Sequence, residues 1–287
     1  MKIMPFPKLS LLTRNCIFVQ TISLLLLFSI GATLPSKLFA ETITTSGELQ
    51  KFGQHLLDEG KDFVTTPFAV QNNNIFWTLA IAGVVGLTYG FDGHIKDKVQ
   101  ANRSNGLNKA SNIADIAGSP YLHIGSAALL YGGGILTGSD KTKETGEMLL
   151  EALFLADAAT LIFKQGIGRG RPSVTASKGD YKPFQFKKDY DSLPSMHTAS
   201  SFAMASVLSR SYEGLTVPLL SYTAATFVGF SRVNKNKHWA SDVLLGAAIG
   251  ELAGRVVTTY HADKERRWAI MPAVSTDAAT INLVYSY

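Results

Sequence analysis

The chain has 287 residues, of which 46% are hydrophobic and 17% are charged, and its mean hydropathy is +0.12. This composition excludes a disordered tail and a collagen-like repeat, and it leaves a globular domain or a small helical membrane protein. The net charge of +5 comes mainly from four bases in the first forty residues, because the rest of the chain carries 23 bases against 22 acids. Global basicity therefore gives no reason to expect nucleic acid as a partner.

The first forty residues are predicted to be a secretory signal peptide. A basic start is followed by an apolar run over 16–32, and the small residue Ala40 precedes a polar segment. This order is typical of a signal that is cleaved after Ala40. An uncleaved anchor helix is the alternative, although the apolar run is short for a span of about 20 residues. The only cysteine, Cys16, lies in this leader, so the remaining chain can form neither a disulfide nor a thiolate metal site.

After a polar lead-in over 41–74, six apolar segments predict the helices of an all-α core. They are rich in Ala, Leu and Gly, are too long for typical strands and lack sustained two-residue alternation. Their ranges are 75–91, 119–137, 146–163, 197–212, 215–230 and 239–260. Short connections favour antiparallel neighbours, so we expect a six-helix antiparallel bundle.

Two further segments differ from the apolar helices. Residues 164–194 are polar and contain several Gly and Pro, which predicts a loop, and loops of this length are often functional. In the tail over 263–287, a turn signal at 275–277 separates an apolar stretch from an alternating one. This pattern predicts a small C-terminal β-hairpin.

Three short clusters carry the candidate chemistry. In chain order they supply Lys164 and Arg171, then Ser195, Met196 and His197, and then Arg232, His238 and Asp242. The Lys and Arg side chains are suited to a tetrahedral oxyanion, which Arg can bind with two donors. Ser195 precedes an apolar helix, and the free N–H groups at a helix start form an anion site.

The two histidines of these clusters have different surroundings. His238 and Asp242 are one helical turn apart, so the carboxylate can hold one ring nitrogen and leave the other free to attack. His197 comes from another segment and remains as a proton donor. In an antiparallel bundle, all three clusters lie at the same end.

Each cluster taken alone also has a structural explanation, such as a solvated loop, a helix cap or a surface hydrogen bond. Asp92, His94 and Asp97 fall in a polar turn, where solvated side chains are expected rather than a metal site. Arg169 lies in the Gly-rich loop and can contact either phosphate or water.

The three clusters together resemble the signature motifs of the type 2 phosphatidic acid phosphatase superfamily. This family includes bacterial acid phosphatases, lipid phosphatases and vanadium haloperoxidases. The resemblance covers Lys164 to Pro172, Pro194 to His197 and Ser231 to Asp242, and Met196 stands where the family has Gly. It implies a helical phosphatase domain over 75–262 that needs neither a metal nor another cofactor.

The resemblance also implies a role for each motif residue. His238 would attack phosphorus to give a phosphohistidine, Asp242 would orient it, and His197 would protonate the leaving oxygen and later activate water. The phosphate oxygens would be held by Lys164, Arg171, Ser195, Arg232 and the N–H of Met196. Alternatives are a vanadate-dependent haloperoxidase and a non-catalytic module that binds phosphate or lipid.

The expected partner is a phosphorylated lipid or a small-molecule phosphoester. Asp157 and Glu251 lie inside two of the apolar segments, where charge in lipid is costly. This favours a soluble or peripherally bound periplasmic protein, with an integral membrane protein as the alternative.

Overall fold

The computed structural model describes residues 46–186, 188–274 and 279–285. The predicted signal peptide over 1–40 lies outside the described residues. The chain divides into two units, Met1–His55 and Leu56–Tyr287. In the first unit the described residues, 46–55, are helical, and the second unit contains all the motifs named above.

The described residues contain eight α-helices, which confirms the predicted all-α fold. In chain order they are α1 (Ser46–Thr65), α2 (Asn74–Ala101), α3 (Asn105–Ala117), α4 (Pro120–Thr137), α5 (Asp140–Ile167), α6 (Met196–Ser211), α7 (Thr216–Asn234) and α8 (Ala240–Arg267). The six predicted segments correspond to α2 and to α4 through α8. Short 3-10 turns at Thr66–Phe68, Gln71–Asn73 and Lys188–Tyr190 complete the helical elements.

Helices α1 and α3 were not predicted, because both sequences are polar. Helix α1 lies in the polar lead-in, yet Leu56, Glu59 and Phe63 follow helical spacing, and Phe63 packs against the core. Helix α3 begins after Ser104, whose hydroxyl accepts a hydrogen bond from the N–H of Leu107 at 3.2 Å. Both helices contribute carboxylates to the features described below.

The core lies where α5, α6 and α8 pack together. Its fully buried apolar side chains are mostly small, and they are Ala127, Leu149, Ala152, Ala156, Ala199, Ala203, Val207, Ala253 and Val257. Small side chains allow the helix axes to approach closely. The helices that carry the predicted site are therefore held as one packed group.

Glycines on α8 set the closest approach between α6 and α8. Gly246, Gly250 and Gly254 repeat every fourth residue and so lie on one face of α8. A Cβ at Gly246 would lie 2.5 Å from the carbonyl oxygen of Ser195, and one at Gly250 would overlap the carbonyl oxygen of Ala199. This contact holds the start of α6 against the start of α8.

The tail forms two antiparallel strands where the hairpin is predicted. Strand β1 (Trp268–Val274) pairs with β2 (Ala279–Tyr285), with Trp268 opposite Tyr285 and Val274 opposite Ala279. Residues 275–278, which contain the predicted turn, lie outside the described residues.

Large apolar side chains are exposed along several helices. The segment Gln71–Ala101 is long and apolar enough to cross a membrane, with a mean hydropathy of 1.4 in its most apolar window, none of which is buried. Outside this segment, Leu129 of α4 is 77% exposed and Leu219 of α7 is 69% exposed. Scattered exposed leucines are ordinary, but continuous apolar faces indicate a contact with lipid or protein.

The charges expected to exclude a membrane are paired with neighbouring polar side chains. Asp157 accepts a hydrogen bond from Ser200 at 2.6 Å, and Glu251 accepts from Arg210 at 2.7 Å and from Tyr222 at 2.6 Å. Charged groups that are paired with other polar groups are tolerated in membrane proteins. Asp157 and Glu251 therefore do not argue against a membrane location.

Candidate active site

The first cluster begins in the last turn of α5 and continues into the loop over 168–195. The helix ends at Gly168, whose φ of +62° is left-handed, and a Cβ there would overlap the carbonyl of Lys182. Lys164 is buried one turn before this end, and its Nζ donates to the carbonyl oxygen of Asp191. The loop therefore folds back over the end of α5.

Arg171 faces the same part of the loop. Its Nε donates to Oδ1 of Asp191 at 2.6 Å and its Nη2 donates to Oδ2 at 2.8 Å. This two-donor geometry is the one that guanidinium groups also use with phosphate. Asp191 was not predicted, and in this structure it holds Arg171 in position.

The third cluster places Arg232 in the last turn of α7. Its guanidinium pairs with Asp115 of α3, and Asp115 also accepts from Nζ of Lys235 at 2.5 Å. Neither Asp115 nor Lys235 was predicted. The structure thus positions both predicted arginines with carboxylates from outside the motifs.

The second cluster forms the start of α6. Ser195 is the buried N-cap residue; its N–H donates to the carbonyl oxygen of Asp242 at 3.0 Å, and its Oγ accepts from Thr198 at 2.9 Å. Met196, which replaces the family's Gly, is the first residue of the helix, is half-buried and has no positive φ. The position therefore makes no demand that only glycine could meet.

His238 lies in the connection between α7 and α8 and is almost completely buried. Its Nδ1 is 2.6 Å from the carbonyl oxygen of Ser192, whereas Oδ2 of Asp242 is 3.9 Å away. Because a carbonyl can only accept, Nδ1 carries the proton and Nε2 keeps its lone pair. The direct partner of His238 is thus Ser192, where the spacing had indicated Asp242.

Asp242 is completely buried and accepts three hydrogen bonds. The donors are Nη1 of Arg169 at 2.5 Å, the hydroxyl of Ser192 at 2.5 Å and the N–H of Trp239 at 2.8 Å. Since Ser192 bonds to His238 through its carbonyl and to Asp242 through its hydroxyl, it links the two residues of the predicted pair.

Arg169 and Asp92 extend this network, and neither is solvated. Both are completely buried, and Nη2 of Arg169 donates to Asp92 at 2.8 Å. Asp92 also accepts from the N–H of Ser241 at 2.9 Å and from its hydroxyl at 2.5 Å. In the polar turn predicted at Asp92, His94 and Asp97, His94 is exposed and the Asp97 side chain is 75% exposed. Among these three residues, the prediction of a solvated side chain fails only for Asp92. Asp92 directly follows the apolar stretch 75–91 of α2, and this position was the signal that could have identified it.

His197 lies in the first turn of α6, at the same end of the bundle. Its Nε2 is 3.8 Å from Oδ1 of Asp115, and its side chain is 28% exposed. Burial, and after it the charges of Lys164, Arg171 and Lys235, lowers the pKa of His197 to about 4. A bound phosphate dianion would offset those charges and favour the protonated imidazole.

The electrostatics of His238 suit a nucleophile. Burial, followed by the charges of Lys164, Arg232 and Arg171, lowers the pKa of His238 well below its usual value. The ring is therefore neutral near pH 7, with Nε2 unprotonated. A neutral imidazole beside three cations can attack an electrophile that carries negative oxygens.

Part of the chain is similar in sequence to known proteins. Residues 148–266 match the model of the PAP2 superfamily. Over 122 residues, 40% of this chain, the sequence is 39% identical to a lipid A 1-phosphatase of Porphyromonas gingivalis, and the match spans 24% of that relative's length.

Two solved structures match this chain, and the one with the TM-score above 0.5 is similar in fold. One is a transmembrane PAP2 type phosphatidylglycerolphosphate phosphatase from Bacillus subtilis. It matches with a TM-score of 0.53 and 19% identity, and the match covers 69% of this chain and 97% of that one. Aquifex aeolicus LpxE matches with a TM-score of 0.47 and 24% identity, covering 58% of this chain and 94% of that one.

Proposed function

We propose that the chain is a metal-independent phosphatase of the PAP2 superfamily, whose model matches residues 148–266, and that it acts on a phosphorylated lipid through a phosphohistidine. One observation carries this proposal above the others. His238 is buried with its Nδ1 held by a carbonyl oxygen, so Nε2 is available among the charges of Lys164, Arg171 and Arg232.

The phosphate would be bound by the groups that surround His238. Lys164, Arg171 and Arg232 supply positive charge, and the N–H groups at the start of α6, including that of Met196, supply donors. Ser195 is close enough to His238 to share the site, because its N–H is bonded to the carbonyl of Asp242. Positioning and charge stabilisation of this kind account for most of the catalysis of phosphoryl transfer.

In the first step, Nε2 of His238 attacks phosphorus and the bond from phosphorus to the ester oxygen breaks. His197 donates a proton to that oxygen, which leaves as an alcohol. Asp242 lies 3.9 Å from Nδ1 and stabilises the positive charge that develops on the ring of His238.

In the second step, water attacks the phosphohistidine. His197, now neutral, accepts a proton from the water, and the bond from Nε2 to phosphorus breaks, so His238 and inorganic phosphate are released. The positive charge that both steps require comes from side chains of this chain, so the proposal includes no metal ion and no other cofactor.

A lipid substrate is supported by the surface around the site. Phe163 and Phe230, adjacent in sequence to motif residues, are exposed, and Phe184 of the loop is 70% exposed. The relative named as a lipid A 1-phosphatase also supports a lipid phosphomonoester. A lipid in the bilayer could present its phosphate at this end of the helices while its chains remain in the apolar phase.

The exposed apolar faces favour the membrane alternative over a soluble protein. We propose that the protein is inserted in a membrane of the cell envelope, with Gln71–Ala101 crossing the bilayer. A signal peptide cleaved after Ala40 is part of the same proposal. Resistance of the protein to alkaline wash until detergent is added would support insertion, and release without detergent would contradict it.

The activity can be tested with the full-length chain in detergent micelles. We expect phosphate release from lipid phosphomonoesters, competitive inhibition by vanadate and unchanged turnover in excess chelator below the melting temperature. The His238→Ala variant should release no phosphate from any substrate. Halide oxidation by the vanadate-loaded protein, without phosphate release from lipid or soluble phosphoesters, would favour the haloperoxidase alternative.

A further inference from the structure

A short part of the active-site loop carries exposed aromatic side chains and positive charge. Residues 182–188, which we call the loop tip, contain three lysines, two phenylalanines and no acid. Phe184 is 70% exposed and Phe186 is 75% exposed. Exposed aromatic side chains beside several lysines are typical of a surface that meets the headgroup region of a membrane.

The backbone of the loop tip holds both phenylalanines in place although their rings remain exposed. Their φ angles are +59° and +52°, in the left-handed region that bulky residues rarely adopt. Such conformations persist where neighbouring contacts fix the chain, and the N–H of Phe184 donates to the carbonyl oxygen of Gln165 at 2.8 Å. Burial within the protein does not offset the cost of this backbone conformation. The two rings are therefore presented to their surroundings by a fixed backbone.

Both ends of the loop tip are attached to the first motif. At one end, the N–H of Lys182 donates to the carbonyl oxygen of Gly168 at 2.7 Å, just after the end of α5. At the other end, the carbonyl oxygen of Asp189 accepts from the N–H of Arg171 at 3.0 Å. The position of the loop tip is therefore coupled to that of Arg171, one of the proposed phosphate ligands.

The loop is bonded to two helices at the level where their apolar surfaces end. In α2 the apolar stretch over 75–91 ends one residue after Gly90, whose carbonyl oxygen accepts from Nζ of Lys178 at 2.6 Å. This stretch is about 26 Å long, close to the thickness of about 30 Å of the hydrocarbon core of a bilayer. In α5 the exposed apolar side chains over 161–163 are followed directly by the buried Lys164. If α2 crosses the bilayer, the loop lies at the interface between lipid and water.

Building on the proposed lipid phosphatase function, we propose that the loop tip inserts Phe184 and Phe186 into the interface of an anionic bilayer. The positive charge of the loop tip is attracted to the anionic headgroups. Because the loop tip is bonded to the first motif, its depth sets Arg171 at the level of the lipid phosphates. A phosphate carried by a lipid in the bilayer is then favoured over the same group free in water.

The depth of the loop tip can be measured without any turnover. In a Cys16→Ser background, Phe186→Cys is labelled with a polarity-sensitive fluorophore, and the full-length protein is placed in vesicles that contain anionic phospholipid. Lipids brominated in their chains should quench this label about threefold more strongly than a label at Asn102→Cys. Asn102 follows the end of α2, about 16 Å beyond Phe91, and should face water. Equal quenching of the two labels would overturn the proposal.

The same label tests the attraction to anionic headgroups. In anionic vesicles the quenching should decrease as salt is raised, because salt screens the charges. In neutral vesicles it should be weaker and should not depend on salt. Quenching of equal strength in anionic and neutral vesicles would overturn the choice of an anionic partner.

Kinetics separate the loop tip from the catalytic residues. The double variant Phe184→Ser with Phe186→Ser should lower kcat/KM about tenfold or more for the lipid phosphomonoester that the wild type hydrolyses fastest in vesicles. Its hydrolysis of nitrophenyl phosphate should change less than about twofold, which also shows that the variant folds. Phe68→Ser removes a 72% exposed ring near the start of α2, and it should match the wild type on both substrates. Equal losses on both substrates, or full activity of the double variant on the lipid, would overturn the proposal.

The two measurements also distinguish the membrane contact from the proposed function. Quenching of the label at residue 186, with no phosphate released from any substrate, would support the contact and contradict the phosphatase. Phosphate release from lipid with an unquenched label would support the phosphatase and overturn the contact.

Discussion

Asp242 at the catalytic end and Glu59 at the distal end are both completely buried carboxylates, but their surroundings are opposite. Asp242 accepts hydrogen bonds from Arg169, Ser192 and Trp239, whereas Glu59 accepts none from the described residues. Burial raises the pKa of Asp242, and its fixed donors, above all Arg169, oppose that rise. At Glu59, burial and then the charge of Glu151 raise the pKa to about 9, so this carboxyl is protonated near pH 7.

The donors at the catalytic end also leave some of the charge uncompensated. Arg169 is shared between Asp92 and Asp242, at 2.8 and 2.5 Å. One positive charge between two carboxylates leaves a net charge of −1 on these three side chains. We infer that Asp92 prevents Arg169 from neutralising Asp242, and that this charge stabilises the imidazolium formed when His238 is phosphorylated.

The largest effect is expected from removing the nucleophile. His238→Ala should abolish the acid-labile phosphoenzyme and reduce turnover about 10⁴-fold or more, because the reaction loses its covalent route. Quenched-flow trapping of radioactive phosphate on the protein measures this directly. A phosphohistidine that forms in this variant but not in His197→Ala would reverse the two assignments.

His197→Ala should have a smaller effect that depends on the substrate. Loss of a general acid is expected to slow alkyl phosphate hydrolysis by about 10²- to 10⁴-fold. A nitrophenyl phosphate, whose leaving group needs little protonation, should still phosphorylate the enzyme. His94→Ala, at an exposed histidine on α2, should match the wild type with both substrates. Equal losses on the two substrates would rule out the acid role of His197.

Asp92→Asn tests the shared arginine. Arg169 would then pair with Asp242 alone, and the local net charge would rise from −1 to 0. We expect kcat to fall about 10- to 100-fold with KM changed less than about twofold, as for other residues that orient a catalytic group. Asp97→Asn, an exposed acid on the same helix, is the matched control. A lower melting temperature with unchanged kcat would reduce Asp92 to a structural role.

The smallest expected effect is a shift in pH dependence. The charge of Lys235 contributes to the lowered pKa of His197, so Lys235→Gln should raise that pKa. Because His197 must be protonated to act as the acid, the alkaline limb of kcat/KM should move to higher pH, by about half a unit. Lys98→Gln on α2 should leave the limb in place. A shift to lower pH in the Lys235 variant would contradict the assignment.

The sequence predicted the fold well where apolar segments were long. Six helices follow from composition and length, whereas α1 and α3 were missed because their buried positions are few and separated by polar residues. Their importance depends on tertiary packing, through Phe63 in the core and Asp115 beside Arg232. Single-sequence periodicity detects a helix that buries a wide face better than one that buries a narrow stripe.

The sequence predicted only those residues of the candidate site that lie within the three short motifs. The motifs identify the residues that face the phosphate, and the bundle topology indicates that they lie together. Ser192, Asp191, Asp115 and Asp92 act on those residues from outside the motifs, across 20 to 149 positions of sequence. A single sequence shows which side chains have suitable chemistry, but not which distant carboxylate is packed against them.

The position of Asp92 on α2 changes what counts as the functional unit. The segment that sequence similarity recognises, 148–266, begins well after this helix. Yet Asp92 is bonded to both Arg169 and Ser241, inside that segment. Helix α2 therefore contributes more than an exposed apolar surface, since its single buried residue is the charged Asp92. We therefore expect that a fragment with the proposed activity includes α2 as well as residues 148–266.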